Sequence, residues 1–354
     1  MKTKRLGSRG PEISVVGYGA WEAGGTNWGT APPDEQTVGA IHKGIEAGMT
    51  WVDTAEIYGH GRSEELVGRA LKGHDDVMVF TKIAPAESGT GVEGGSIRRA
   101  AEASLERLGR DVIDLYQLHW PDDEVPVEES WEAMARLADE GLVRWIGVSN
   151  FDRPLIERCL AIRHVDSLQQ QHSMLHRDDE DLFAWCSSVG VGVLAYGPLA
   201  FGLLTGAIDA STTFDDDDWR SGKLGTDGYY GQHFAPGKIE SNLAAVERLG
   251  AVAARVGVTL AQLALAWIVD HDWATAAIAG SRSPGHTAEN AGAGDLTLDA
   301  RSGRKSRESS GADSFSGAHG RGYLRARLRR RQDRERRHDQ HGPQYHPPRD
   351  RLVQ

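Results

Sequence analysis

Eight short apolar runs, alternating with amphipathic stretches, constrain this chain more than any other feature of its 354 residues. The runs cover 13–19, 49–55, 77–82, 112–119, 143–150, 165–170, 191–196 and 274–280. The stretches between them, 34–47, 63–72, 95–108, 127–140, 154–161 and 179–188, are amphipathic and helix-like. A last helical pair, 239–256 and 260–269, is split by Gly257-Val258-Thr259, with Thr259 in place to cap its second half. Apolar strands separated by helices imply a parallel sheet covered on both faces. Eight such units close a barrel, so the expected fold is α/β, a (β/α)8 TIM barrel. Its rival is an open dinucleotide-binding sheet, which normally shows G-x-G-x-x-G after the first strand. Here Gly17-Tyr18-Gly19 runs into Ala20-Trp21 instead. Residues 3–10 are expected to add a short hairpin at the barrel bottom.

Charge divides the chain in two. Residues 301–354 hold 15 Lys/Arg against 6 Asp/Glu, which leaves 25 against 45 for residues 1–300. The body is acidic, near −20, and the tail basic, near +9. The tail has no isoleucine, and its one valine is Val353. Such a segment buries too little apolar surface to offset its ordering entropy. We therefore expect 1–300 to be the barrel domain and 301–354 a disordered Arg-rich tail, with 325–337 a candidate isolated basic helix. Two origins for the tail stay open: a shifted reading frame near residue 300, or a genuine basic arm for nucleic acid or an acidic partner. The other two frames of the encoding DNA discriminate between them.

No apolar run approaches the ~18 residues of a membrane span, and no signal-peptide core follows the basic first five residues. Cys159 and Cys186 lie in apolar segments and read as core filling, which fits a cytoplasmic protein. The fourteen histidines show no metal-ligand spacing, so no metal is expected. The segment 200–238 exceeds an ordinary connection. It is glycine-rich, carries acids at 215–218 with Trp219, Tyr229 and Tyr230, and follows the seventh run. A lid over the catalytic face or a solvated insertion would both suit it.

Barrel enzymes gather reacting groups where strands end. The polar residues closing these runs are Asp53, Lys82, His119, Asn150, Gln169 and Tyr196, with Tyr58 on the loop after the second run. A tyrosine with a pKa of about 10 is a weak acid at neutral pH. A neighbouring ammonium stabilises its phenolate, and a carboxylate keeps that ammonium charged. Lys82 and Asp53 supply this pair for Tyr58, and His119 can hydrogen-bond an incoming carbonyl oxygen. No side chain donates hydride, so a cofactor must.

At these residues the chain resembles the aldo-keto reductase family. The resemblance rests on Asp53-Thr54-Ala55-Glu56-Ile57-Tyr58-Gly59 with Gly61-Arg62-Ser63-Glu64-Glu65, on Asp114-Leu115-Tyr116-Gln117-Leu118-His119-Trp120, and on Gly147-Val148-Ser149-Asn150-Phe151. It spans residues 1 to about 298 and is closest to the open, bacterial-type branch, judging from Ala279-Gly280-Ser281-Arg282-Ser283-Pro284. It implies NADPH-dependent reduction of aldehydes or ketones, with Tyr58 as acid/base, Lys82 and Asp53 as its tuning pair and His119 as orienter.

For the cofactor NADP(H), the resemblance implies Gly19, Trp21 and Asp53 at the inner end of the cleft. Ser149, Asn150 and Gln169 match the positions that bind the carboxamide, and Tyr196 the ring that stacks on the nicotinamide. Gly197, Leu199 and Leu203 follow the pyrophosphate. Gly280, Ser281 and Arg282 lead into an anion-favouring helix start, with Arg282 on the 2′-phosphate. Glu289 and Asn290 meet the adenine. His286 stands where Gln or Arg is commoner, which loosens the NADPH preference. Trp21, Tyr58 and Trp120 wall the substrate pocket and imply an apolar or aromatic carbonyl. His172 stands where Tyr is common, and substrate contact and packing both remain open for it. Two other functions compete: a non-catalytic NADPH-binding redox sensor or regulatory subunit, and nucleic-acid binding through the tail.

Overall fold

The computed structural model describes residues 1–222 and 233–298. Expectations for Tyr229, Tyr230 and the segment 301–354 lie outside the described residues. The apolar runs become parallel strands β3 (Val16–Gly19), β4 (Trp51–Asp53), β5 (Met78–Ile83), β6 (Ile113–Leu118), β7 (Val143–Ser149), β8 (Ser167–Gln171), β9 (Gly192–Tyr196) and β10 (Ala274–Gly280). Each pairs with the next, and β10 pairs with β3 to close the barrel.

The hairpin forms, but it is longer than expected. Strands β1 (Thr3–Arg5) and β2 (Glu12–Ser14) pair antiparallel, so Ile13 belongs to the hairpin and not to the first barrel strand. Leu6 and Ile13 are fully buried and join Trp51, Phe80, Leu115 and Leu194 in one apolar cluster. The hairpin thus stoppers the barrel, which would otherwise expose this layer to water. Gly17 leaves room for the Trp51 indole, into which any Cβ at that position would run.

The outer ring consists of α1 (Asp34–Glu46), α2 (Arg62–Ala70), α3 (Gly94–Leu108), α4 (Val127–Asp139), α5 (Arg153–Leu160), α6 (Glu180–Ser188), α7 (Lys238–Val256), α8 (Leu260–Val269) and α9 (Pro284–Gly292). In α3 the buried residues Ile97, Ala100, Ala101, Ser104 and Leu108 recur at helical spacing, turning one face to the sheet. Thr259 caps α8 as expected: its hydroxyl accepts from the Gln262 amide, and Gln262 reciprocates in a capping box, worth about 1 kcal/mol. Cys159 and Cys186 are buried and free, and burial pushes both thiols up to about 12. No single helix among the described residues is long and apolar enough to cross a membrane.

Candidate active site

The site follows from strand periodicity. Side chains two residues apart share a face. The apolar layer of Trp51, Phe80, Leu194 and Ile278 therefore has Asp53, Lys82, Tyr196 and Gly280 directly above it. Parallel register sets Asp53 beside Phe80 and Lys82 beside Gln117. Asp53, Lys82 and Tyr196 thus stand at strand ends on a packed aliphatic and aromatic floor.

Lys82 is fully buried, and its Nζ donates to Asp53 Oδ1 at 2.6 Å and to the Thr54 carbonyl at 2.7 Å. The Tyr58 hydroxyl lies 3.5 Å from the same nitrogen. Three acceptors within reach of one nitrogen match the three donors of an ammonium. Burial draws the Lys82 pKa down and pushes the Asp53 carboxyl up, while their mutual contact opposes both shifts. Gln169 Nε2 donates to Asp53 Oδ2 at 2.7 Å, filling the carboxylate's second oxygen.

Tyr58 is placed by the turn into α2. The Ser63 amide donates to the Tyr58 carbonyl at 3.1 Å, and Ser63 Oγ donates to the Ala20 carbonyl at 2.7 Å, binding the turn to the end of β3. The Tyr58 and His119 rings meet edge to face at 5.7 Å, and His119 stacks on Trp120 at 3.8 Å. Burial holds the His119 pKa well below the usual imidazole value, with the Lys82 charge adding to the shift. The ring is therefore neutral at pH 7, with one nitrogen a donor.

A cavity of about 880 Å³ opens from this centre. It is lined by Gly19, Trp21, Asp53, Ser149, Asn150, Gln169, Tyr196, Gly197, Leu199, Gly280, Ser281, Arg282, His286, Glu289 and Asn290, together with Tyr58, His119 and Trp120. Leu203 departs from the expectation: it is buried in the core and does not border the cavity. Lys82 stands behind Asp53 and Tyr58 and does not line it either. Tyr196 donates to Asn150 Oδ1 at 2.7 Å, and Asn150 Nδ2 donates to the His119 carbonyl at 2.9 Å, which fixes the Tyr196 ring. Gly197 turns the chain at φ +64°, a conformation that side-chain-bearing residues rarely adopt. His172 does not line the cavity; it is buried, stacked on Trp267 at 5.3 Å and edge-on to Phe183 and Trp273.

A family model for the aldo/keto reductase family matches residues 15–308. The chain belongs to this family. It is an oxidoreductase, and the match runs eight residues past the boundary expected at 300. Aldo-keto reductase YhdN of Bacillus subtilis (strain 168) is 36% identical over 295 residues, covering 80% of this chain and 86% of the relative. The glycerol dehydrogenase AKR11B4 from Gluconobacter oxydans has a similar structure, with a TM-score of 0.76 at 31% identity over 87% of this chain and 94% of that one. An aldo/keto reductase from Klebsiella pneumoniae, solved with NADP and acetate, gives 0.69 at 30% identity over 89% and 98%.

Sequence reasoning marked the segment 200–238 as a lid or a solvated insertion but missed its partner across the mouth. The β3–α1 loop, rich in Gly and Pro, brings Glu22, Trp28 and Thr30 to the cavity, and the segment after β9 brings Phe201 and Arg220. Trp28 bridges Asp218, and the Trp219 amide donates to the Asn27 carbonyl at 3.0 Å, so the two segments meet across the mouth. The length of the 20–33 connection was the available signal. Arg282 turns to this loop: its Nη1 donates to the Trp28 and Thr30 carbonyls, both at 3.1 Å, and its Nε lies 3.4 Å from Glu22 Oε2. Among the described residues no cluster of His, Cys, Asp or Glu could hold a metal.

Proposed function

We propose that the protein reduces aldehyde or ketone carbonyls to alcohols with NADPH, using Tyr58 as the general acid. The observation that carries this reading is Lys82 Nζ, buried, 2.6 Å from Asp53 and 3.5 Å from the Tyr58 hydroxyl. The cavity has the residues for a dinucleotide: a fixed Tyr196 face, the close backbone at Gly197, and the start of α9 after Ser283 with Pro284 at its first position. One aldo-keto reductase structure from Klebsiella pneumoniae is a complex with NADP and another is a complex with NADPH, each at 30% identity to this chain. A reduced nicotinamide would supply the hydride when bound.

The residues of this chain would divide the remaining work. Tyr58 and His119 both face the cavity, so a carbonyl oxygen between them would accept two hydrogen bonds. Polarised there, the oxygen takes the Tyr58 proton as it gains charge. Lys82 then stabilises the phenolate through its contact with that oxygen, and Asp53 keeps the buried ammonium compensated. Trp21, Trp120 and Tyr58 give the pocket aromatic walls, which suits an apolar or aromatic carbonyl. Residues 1–300 supply every group named, and we propose them as the catalytic unit.

Tyr58→Phe removes the proton and leaves the ring. Reduction of 4-nitrobenzaldehyde, followed as NADPH oxidation, is expected to fall by roughly 10²–10⁴-fold, with NADPH binding little changed. Wild-type turnover in this variant would overturn the role of Tyr58.

A further inference from the structure

Glu22 is an unexpected neighbour for phosphate groups. It opens the short 3₁₀ turn Glu22–Gly24 at the exit of β3, and its side chain borders the cavity. Oε2 lies 3.4 Å from Arg282 Nε, and Oε1 would stand 3.1 Å from a Cβ built on Gly280. The carboxylate thus crosses from β3 to the end of β10, into the stretch where the proposed dinucleotide would run. Arg220, held by Asp218 at 2.6 Å and by the Phe201 carbonyl at 3.2 Å, lines the same cavity. Burial raises the Glu22 pKa, while Arg282 and then Arg220 pull it back, so both cations act on this carboxylate. Asp218 and His286 complete the charged and titratable groups acting on it.

We infer that Glu22 is a built-in competitor for the dinucleotide's phosphates, an affinity-determining residue that occupies Arg282 and repels an arriving anion. The inference rests on the assignment of this cavity to a dinucleotide. Its physical basis is simple. Arg220 is already compensated by Asp218, so Arg282 is the cation that would attract phosphates, and the carboxylate beside it cancels part of that field. The anion must then displace Glu22 from Arg282 or share the arginine with it. Such a device weakens cofactor binding, which favours release once reduction is complete.

The test is a titration of Glu22→Gln and Glu22→Asp with NADPH, NADH and adenosine 2′,5′-bisphosphate, read by tryptophan fluorescence. Glu22→Gln keeps the shape and removes the charge, and it is expected to tighten NADPH and the bisphosphate by about tenfold. Glu22→Asp, which keeps the charge, should stay nearer the wild type than Gln does. Equal or weaker binding by a folded Glu22→Gln would overturn the inference while leaving the cofactor assignment intact. Failure of the wild type to bind either dinucleotide would remove the cofactor assignment, and this inference with it. Should the Gln variant not fold, Glu22→Ser carries the same expectation.

Discussion

The floor of the cavity and its rim are built by different rules. On the floor, Asp53, Lys82 and Tyr196 belong to strands, and each stands above a buried residue of its own strand. On the rim, Glu22, Trp28, Arg220 and Arg282 belong to loops, and contacts between loops hold them. The floor is therefore fixed by backbone geometry that also stabilises the barrel. The rim is fixed by contacts between loops, among them side chains that a ligand can compete for. Groups placed on the first and a binding surface placed on the second can vary independently, a separation that suits the barrel fold to many substrates.

The largest effect that would probe this contrast belongs to the floor. Lys82→Met strands the Asp53 carboxylate in a site shielded from water, and unfolding free energy from urea titration should drop by about 3–5 kcal/mol. Tyr58→Phe, by contrast, should remove turnover without that loss. Equal destabilisation by both variants would mean that the ammonium is not the buried keystone of the floor.

On the rim side, Arg282→Ala removes part-exposed contacts to Glu22 and to the Trp28 and Thr30 carbonyls, so its cost in stability should stay below that of Lys82→Met, at about 1–3 kcal/mol. Its effect should appear in binding, with NADPH weakened more than NADH. Equal weakening of the two would take Arg282 away from the 2′-phosphate.

A third effect, seen only as pH falls, concerns His233, which anchors the return of the rim segment to Gln171 at 3.0 Å. Burial lowers its pKa to about 3, with neighbouring His176 contributing. The unfolded imidazole, near 6.5, takes its proton first as pH falls. The stabilisation it confers is thus complete above about pH 6.5 and is lost as the solution is acidified toward 3. His233→Gln cannot be protonated, so the gap between its urea midpoint and that of the wild type should change steadily between pH 6.5 and 4. A constant gap would show that His233 does not titrate differently on folding.

Much of the floor was legible beforehand. Asp53, Lys82 and His119 could be found because each follows an apolar run, and the register of a closed parallel barrel brings such positions together. Thr259 was legible for a similar reason, since a cap lies within three residues of what it caps. Ile13 was misplaced because an apolar residue suits a plugging hairpin as well as a barrel strand. Leu203 turns its side chain into the core, and position along a loop does not say which side chains do so.

The sequence alone determined the barrel, the polar layer above its core and the family, because strand period, helix period and local motifs are encoded by residues near one another. It could not determine that Glu22 would meet Arg282, or that Trp28 would meet Asp218. Those pairs join segments far apart in the chain, and no local spacing specifies them. Only the closed barrel, which sets the ends of β3, β9 and β10 side by side, decides which loops touch, and so what a ligand entering the cavity must displace.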